Sequence, residues 1–341
     1  MKILITGGCG FIGSNFVRFW SKKYPKDEIV VLDKLTYAGH KENLKGVEHV
    51  FIKGDICDAS AVKKAMKSAD VVVHFSAESH VDRSIMEPGV FMQTNVIGTH
   101  ILLEEALRQK VKLFHHVSTD EVFGSLPVDR PDLRFNESTN YSPNSPYSAS
   151  KAASDHLVRA YHKTFGLPVT ITNTSNNYGP YQDPEKLIPR FITGLIEGKK
   201  VPLMGNGENV RDWCYVEDHC TAMDAVIGSA LKDKKILGET FCVGGDSEKT
   251  NLETTNILLK IFAKDSSWIE KIPHRLGHDE RYAIDSSKIK KVLGWEPANN
   301  FEKSLVETVR WYKDNEWWWK PLKEGRPLID PDVQLKRANS V

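Results

Sequence analysis

A strand that runs straight into a set of spaced glycines constrains this chain more than any other segment. Residues 2–6 (KILIT) are apolar and β-rich, and TGGCGFIG (6–13) places Gly7, Gly10 and Gly13 three apart before a helical pattern. Glycines in that position allow a tight turn, close approach of the backbone to a pyrophosphate, and close helix–strand contact. The helix start adds unpaired N–H groups and the positive end of a dipole. Gly7, Gly10, Phe11, Ile12 and Gly13 are therefore the expected phosphate-contacting residues. Asp33 closes the second apolar run, 33 − 13 = 20 residues after Gly13. A carboxylate at that distance bonds a ribose 2′-hydroxyl and repels a 2′-phosphate. The expected cofactor is NAD rather than NADP, with Lys34 the contrary signal. Asp55 and Ile56, after the third run, are expected at the adenine edge; a strand-end turn is the other reading of Asp55.

The rest of the first half repeats the strand–helix alternation. Segments 2–6, 29–33, 49–55, 70–77, 112–119 and 169–176 have few polar breaks, as strands covered on both faces do. Helical patterns fall near 11–22, 58–68, 90–109 and 146–165. The last has Ser145 as N-cap and Pro146 in its first turn. Alternation of this kind predicts an α/β fold: a doubly wound parallel (Rossmann) sheet. After about residue 177, Asn, Gly and Pro punctuation increases, and a smaller mixed α/β C-terminal substrate domain is expected. A helix at 218–231 and a strand in ETFCVGG return the chain to the sheet. The expected division is 1–176 plus about 213–243 for the cofactor domain, about 177–212 plus 244–318 for the substrate domain, and 319–341 as a surface tail.

Composition narrows the function classes. Among 341 residues, 46 basic and 45 acidic side chains give a net charge of +1, which removes a global electrostatic case for nucleic acid or an anionic membrane as partner. No apolar run approaches the 18 or so residues of a membrane span. Five scattered cysteines suggest neither a disulfide framework nor a zinc site, so no metal is expected and the reducing cytoplasm is the expected compartment.

Tyr147 and Lys151 lie four apart in YSASK, on one face of a helix. A nearby ammonium favours the phenolate and makes tyrosine a usable base. Ser118 or Thr119 can orient a substrate hydroxyl toward it. Asp120 and Glu121 follow at the C-terminal end of strand five, where doubly wound sheets bind ligands. Two carboxyl groups there suggest one acid and one base; on spacing alone, a pair of solvated turn carboxylates is equally compatible.

Together these segments make the chain resemble the extended short-chain dehydrogenase/reductase superfamily and, within it, the nucleotide-sugar 4,6-dehydratases of the dTDP-glucose type. The matching residues include FSAESHVDRSI (75–85), TNVIGT (94–99), VSTDEVFG (117–124), SPYSASKAASDHLVRAY (145–161), SNNYGPYQDPEKLIP (175–189), NVRDWCYVEDH (209–219) and GHDERYAID (277–285). The resemblance implies Tyr147 as base for the sugar 4-hydroxyl, with Lys151 and Thr119 in support. It makes Glu121 the base at carbon 5 and Asp120 the acid for the departing 6-hydroxyl. It implies Ser79, Asn176, Asn177, Glu185, Lys186, Leu187, Met204, Arg211, His278 and Tyr282 as substrate contacts, Arg211 at the diphosphate, with Asp279 nearby. His80, Asp82 and Arg83 match without an individual role. Met204 and Phe123 stand where the family often has tyrosine, and the first of these bears on base recognition. A homodimer through the helices at 90–109 and 146–165 is also implied, although their apolar stripes fit covering the sheet equally. The rivals are a UDP-sugar 4,6-dehydratase, a nucleotide-sugar 4-epimerase, and a silent NAD-binding regulator.

Overall fold

The computed structural model describes residues 1–274 and 278–324. The first half runs β1 (Lys2–Thr6), α1 (Phe11–Lys23), β2 (Glu28–Asp33), β3 (Val50–Lys53), α2 (Ala59–Met66), β4 (Val71–His74), α3 (Val81–Met86), α4 (Pro88–Phe91), α5 (Thr99–Gln109), β5 (Leu113–Thr119), α6 (Pro146–Phe165) and β6 (Val169–Thr174). The second half runs β7 (Asn176–Tyr178), α7 (Leu187–Ile196), β8 (Val201–Met204), β9 (Val210–Tyr215), α8 (Val216–Ala230), β10 (Thr240–Val243), β11 (Glu248–Thr250), α9 (Asn251–Ile261), β12 (Ile269–Ile272), α10 (Ser287–Leu293), α11 (Phe301–Asp314) and α12 (Glu316–Lys323).

Seven strands form one parallel sheet in the order β10-β6-β5-β4-β1-β2-β3. The chain winds outward from β1 in one direction and from β4 in the other. The crevice beyond the C-terminal ends of β1 and β4 is thus the switch point where such sheets bind ligands. Alternate residues of β1 feed two different cores. Ile3 and Ile5 pack with Phe16, Trp20 and Met223 on one face. Leu4 packs with Val72, Leu102, Phe114 and Val158 on the other. That is the two-sided burial that the unbroken apolar runs require.

The C-terminal domain is built on a three-stranded sheet, β11-β9-β7, and a two-stranded sheet, β12-β8. Its core of Tyr178, Phe191, Trp213, Leu258, Phe301 and Tyr312 is separate from the two sheet cores. No helix among the described residues is long and apolar enough to cross a membrane.

Three expectations need correction. The run 169–176 is not one strand: β6 stops at Thr174, and Asn176–Tyr178 pairs with β9 in the other sheet. The pattern 90–109 is not one α-helix. A π-helical turn, Met92–Gly98, separates α4 from α5. Within it Asn95 accepts from Glu78 N and donates to Ser150 Oγ, both at 2.8 Å. Gly98 lies so close to Ile56 that a Cβ would sit 2.6 Å from its Cδ1. These side contacts reset the helix register, as π-turns at ligand sites do. Finally, the tail does not begin at 319. Helix α12 continues to Lys323, with Trp319 fully buried and Trp318 4% exposed. Trp318 Nε1 donates to Asn43 Oδ1 at 2.6 Å, and Trp319 Nε1 to Tyr312 O at 2.7 Å. Burying two indoles with satisfied N–H groups outweighs the polar residues around them. Residues 325–341 of the expected tail lie outside the described residues.

Candidate active site

The strand–glycine–helix segment makes the floor of the first cleft. Gly7 has φ +70°, and a Cβ on Gly13 would lie 2.2 Å from Gly7 O. Helix α1 begins at Gly10 with no side-chain cap and no acidic residue in its first turn. Its first N–H groups and dipole therefore face the cleft, an arrangement suited to phosphate. Asp33 sits at the end of β2, 7% exposed. Its Oδ2 accepts from Cys9 N at 2.9 Å and its Oδ1 from Leu35 N at 2.8 Å. Burial pushes its pKa up while those two N–H groups pull it down. Lys34, the residue that argued for NADP, is paired with Asp55 at 2.7 Å. Its charge is thereby taken up within the chain. Gly7, Gly10, Phe11, Ile12, Gly13, Asp33, Asp55, Ile56, Ser79, Tyr147 and Lys151 all line this cleft of about 1330 Å³. The open helix start, the crowded glycines and the ribose-side carboxylate fit a dinucleotide of the NAD type.

A second cleft of about 1000 Å³ continues from the first through His80, Gln182, Glu185 and Lys186. Glu121, Asn176, Asn177, Leu187, Met204, Arg211 and His278 line it. Arg211 is 6% exposed and lies over the Tyr282 ring, 4.3 Å from its centroid. Its guanidinium donates to Asp279 O at 3.0 Å and Val210 O at 2.8 Å. Asp212 accepts from Ser247 N and Gly245 N. Tyr282 is 2% exposed and its hydroxyl donates to Asp279 Oδ2, so it backs Arg211 rather than lining the cleft. His278 Nδ1 stands 3.4 Å from His274 Nδ1. Gly277 of the matching GHDERYAID segment lies outside the described residues.

Tyr147 lines the first cleft, and Glu121, just past the end of β5, lines the second. Helix α6 is started by a capping box in which Ser145 and Ser148 bond reciprocally. That start fixes Tyr147 and Lys151 one turn apart. Residues Asp120–Phe123 form a 3₁₀ turn whose N-cap, Thr119, accepts from Glu121 N at 3.2 Å. The turn gives its two carboxyl groups different surroundings. Glu121 lines the second cleft, whereas Asp120 is 1% exposed with Oδ2 lacking a hydrogen-bond partner. The alternative of two solvated turn carboxylates is thus removed. Burial, then Glu121 and Asp212, push the Asp120 pKa well above the carboxylate range. The neutral form of Asp120 is thereby favoured. Burial and Glu121 also hold the Tyr147 phenol up, while a bond with Thr119 pulls it down. The Lys151 ammonium, expected to favour the phenolate, therefore works against burial and the Glu121 charge. Burial lowers Lys151 to about 8, with Asp155 acting in the opposite direction.

Several residues of the site were missed from the sequence. Ser118 does not reach toward substrate: its Oγ donates to Asp155 at 2.9 Å. Arg83, left without a role, binds Glu185 at 2.8 Å and lies 3.9 Å from the Tyr37 ring centroid. His80 is 3.6 Å from both Glu185 and Asp82. This group ties the loop after β4 to the loop before α7, and Lys186 adds a bond to Ser79 O at 3.0 Å. The unbroken polar run AESHVDR was the available signal for it.

The model of the GDP-mannose 4,6-dehydratase family matches residues 4–308. The dTDP-glucose 4,6-dehydratase of Mycobacterium tuberculosis is 47% identical over 328 residues, covering 95% of this chain and 97% of that protein. The chain belongs to the dTDP-glucose 4,6-dehydratase family. Its Escherichia coli K12 relative is 47% identical over 355 residues, covering 95% and 96% of the two chains. The solved dTDP-glucose 4,6-dehydratase of Streptomyces venezuelae, with NAD and dTDP bound, superimposes with a TM-score of 0.90 at 48% identity, over 95% of this chain and all of that one. UDP-glucose 4-epimerase of Thermotoga maritima also superimposes, with a TM-score of 0.85 at 29% identity, over 93% of this chain and 100% of that one. Membership of the dehydratase family therefore rests on sequence and site, since the fold also carries epimerases.

Proposed function

We propose that the chain is an NAD-dependent dTDP-glucose 4,6-dehydratase, a lyase that forms dTDP-4-keto-6-deoxyglucose and water. The observation that carries this reading is the pair Asp120 and Glu121, one buried where burial favours its neutral form, the other in the cleft. Oxidation or epimerisation at carbon 4 has no use for a second acid and base. Elimination of water across carbons 5 and 6 needs both.

In this mechanism Tyr147 removes the proton of the 4-hydroxyl, with Thr119 orienting that hydroxyl and Lys151 stabilising the phenolate. Gly7, Gly10, Phe11, Ile12, Gly13, Asp33, Asp55 and Ile56 would hold NAD, which would supply a hydride acceptor for carbon 4 and a hydride donor for carbon 6. Glu121 then takes the carbon-5 proton, acidified by the 4-ketone, and returns it to carbon 5 once carbon 6 has been reduced. Asp120 gives its proton to the departing 6-hydroxyl. Arg211, stiffened by Tyr282, binds the diphosphate with its planar fork. Asn176, Asn177, Lys186 and Leu187 hold the rest of the nucleotide sugar, Met204 meets the base, and Ser79, Glu185 and His278 close the cleft around it.

The domain division follows the same reading. The cofactor domain takes in α8 and β10, and the substrate domain keeps β7, α7, β8 and β9 with the residues after β10, apart from α10, whose Ile289 packs in the core of the large sheet. Residues Val90, Met92, Ile97 and Phe165 are 44–54% exposed and apolar. They support a homodimer through the helices around α5 and α6. A cytoplasmic location and a role in deoxysugar biosynthesis complete the proposal. Product analysis with dTDP-glucose and UDP-glucose side by side tests it. A 4-keto-6-deoxy product from dTDP-glucose is expected; a 4-epimer, or conversion of UDP-glucose alone, overturns it.

A further inference from the structure

Behind Lys151, away from both clefts, lies a polar network that none of these steps uses. Asp155 follows Lys151 by one turn of α6, and its side chain is fully enclosed, as is that of His116 on β5. Asp155 Oδ2 accepts from Ser118 Oγ at 2.9 Å, Tyr141 OH at 2.9 Å and Asn173 Nδ2 at 3.1 Å. An oxygen that receives three donors belongs to an ionised carboxylate. Its Oδ1 lies 3.1 Å from His116 Nε2. Oδ1 has no hydrogen-bond partner among the described residues, so this approach is one of charge and distance. The same Nε2 lies 3.4 Å from Lys151 Nζ, which also donates to Val117 O at 2.9 Å. A buried ammonium is costly unless an opposite charge shares its surroundings.

We propose that Asp155 is a positioning residue of the oxidation step: its buried charge, one helical turn from Lys151, is the counter-charge that holds Lys151 as an ammonium on the Tyr147 face of α6. The inference rests on reading Tyr147 and Lys151 as the base pair of that step. The groups around the pair are consistent with it from every side. On α6 they are Lys151 and Ser154, whose Oγ is 3.3 Å from His116 Nε2. From β4 comes His74, its ring 5.2 Å from His116 and held neutral by burial. From β5 and β6 come Ser118 and Asn173. The loop before α6 contributes Tyr141, which packs on His156 and feels Arg159. On the cleft side, Asp120 and Glu121 act on Tyr147. Burial and the Lys151 charge bring His116 down to about 4. The imidazole is then neutral, and Asp155 and Lys151 form one balanced pair of charges.

Asp155→Asn keeps the shape and removes the charge. The rate of reduced-nicotinamide formation on mixing with substrate is measured against pH, beside the titration of Lys151 itself. The latter is followed by NMR of protein labelled at the lysine ε-carbon, with Lys151→Met giving the assignment. Losing an opposite charge at this range moves a pKa by about one unit or more. The alkaline limb of the rate and the Lys151 titration both move toward neutral pH, with about a tenfold loss on the alkaline side and a near-normal rate on the acid side. A uniform loss at every pH with an unmoved lysine titration means Asp155 only braces the fold, and overturns the proposal. Should Asp155→Asn fail to fold, Asp155→Glu decides the matter. Glutamate keeps the charge and leaves the limb and the lysine titration in place, and a limb that moves toward neutral pH in this variant refutes the counter-charge. If the wild type forms no reduced nicotinamide with any nucleotide sugar, the proposed function fails, while the lysine titration still tests the pair.

Discussion

Replacing the two adjacent carboxyl groups one at a time should divide the reaction at its midpoint, and the two variants should differ in a way the structure specifies. Asp120 is enclosed and its neutral form is favoured, so Asp120→Asn should change the charge near Tyr147 only slightly. The first oxidation should keep its rate and nearly its pH dependence. Glu121, in contrast, is the carboxylate that does most to hold the Tyr147 phenol up. Glu121→Gln removes it, so Tyr147 ionises at lower pH. The acid limb of the oxidation should shift downward with no loss of rate. After that step both variants should stall, since a positioned acid or base is worth about 10²–10⁴ in rate.

Stopped-flow absorbance of the reduced nicotinamide reads both effects. It should rise and then persist in either variant, and stay flat in Tyr147→Phe. Deuterium placed at carbon 4 should appear at carbon 6 of the wild-type product. If Asp120→Asn shifts the acid limb as Glu121→Gln does, Asp120 is ionised and its assignment as the acid is wrong. If deuterium returns to carbon 4 with inverted configuration, the enzyme is an epimerase and the carboxyl pair has another purpose. Linkage supplies an independent check on Asp120. A carboxyl whose folded pKa lies above its unfolded value stabilises the fold least once pH exceeds the unfolded value. Asp120→Asn should therefore raise the melting temperature at neutral pH and have little effect at acid pH.

Purified protein should carry NAD without any being added, as mass spectrometry of the denatured supernatant will show; stoichiometric NADP would overturn the role of Asp33. Gly13→Ala should lose that bound cofactor, because its Cβ would lie 2.2 Å from Gly7 O; retention of NAD would show that the loop has room. Met204→Tyr should raise the ratio of kcat/KM for dTDP-glucose over UDP-glucose, since base stacking on an aromatic ring is worth about 1–3 kcal/mol; an unchanged ratio would remove Met204 from base recognition. Trp318→Phe should destabilise the fold by about 1–3 kcal/mol through the unpaired Asn43 oxygen, seen as a lower denaturant midpoint; an unmoved midpoint would return this segment to the status of a surface tail.

What the sequence made legible was local or periodic. The glycine spacing, Asp33, the Ser145 cap and the six apolar runs each depend on a few neighbouring residues, and the structure keeps them, except that the sixth run ends as a strand at Thr174. What stayed hidden depends on register between distant elements. His116 looked like one residue of an apolar strand until α6 brought Asp155 to 3.1 Å. Trp318 looked like part of a polar end until Asn43, 275 residues earlier, accepted its N–H. Asn43 in turn donates to Cys9 O at 2.8 Å, so the last described helix braces the glycine loop through a single amide. The carboxyl pair shows the same limit most sharply. Asp120 and Glu121 are chemically alike and adjacent, and nothing in STDEV says which is the acid. A single 3₁₀ turn resolves it by turning one inward, away from water, and the other into the cleft. Their division of labour is a property of the turn and its surroundings, so substitutions that move Val122 or Phe123, which pack that turn, should perturb elimination before they perturb oxidation.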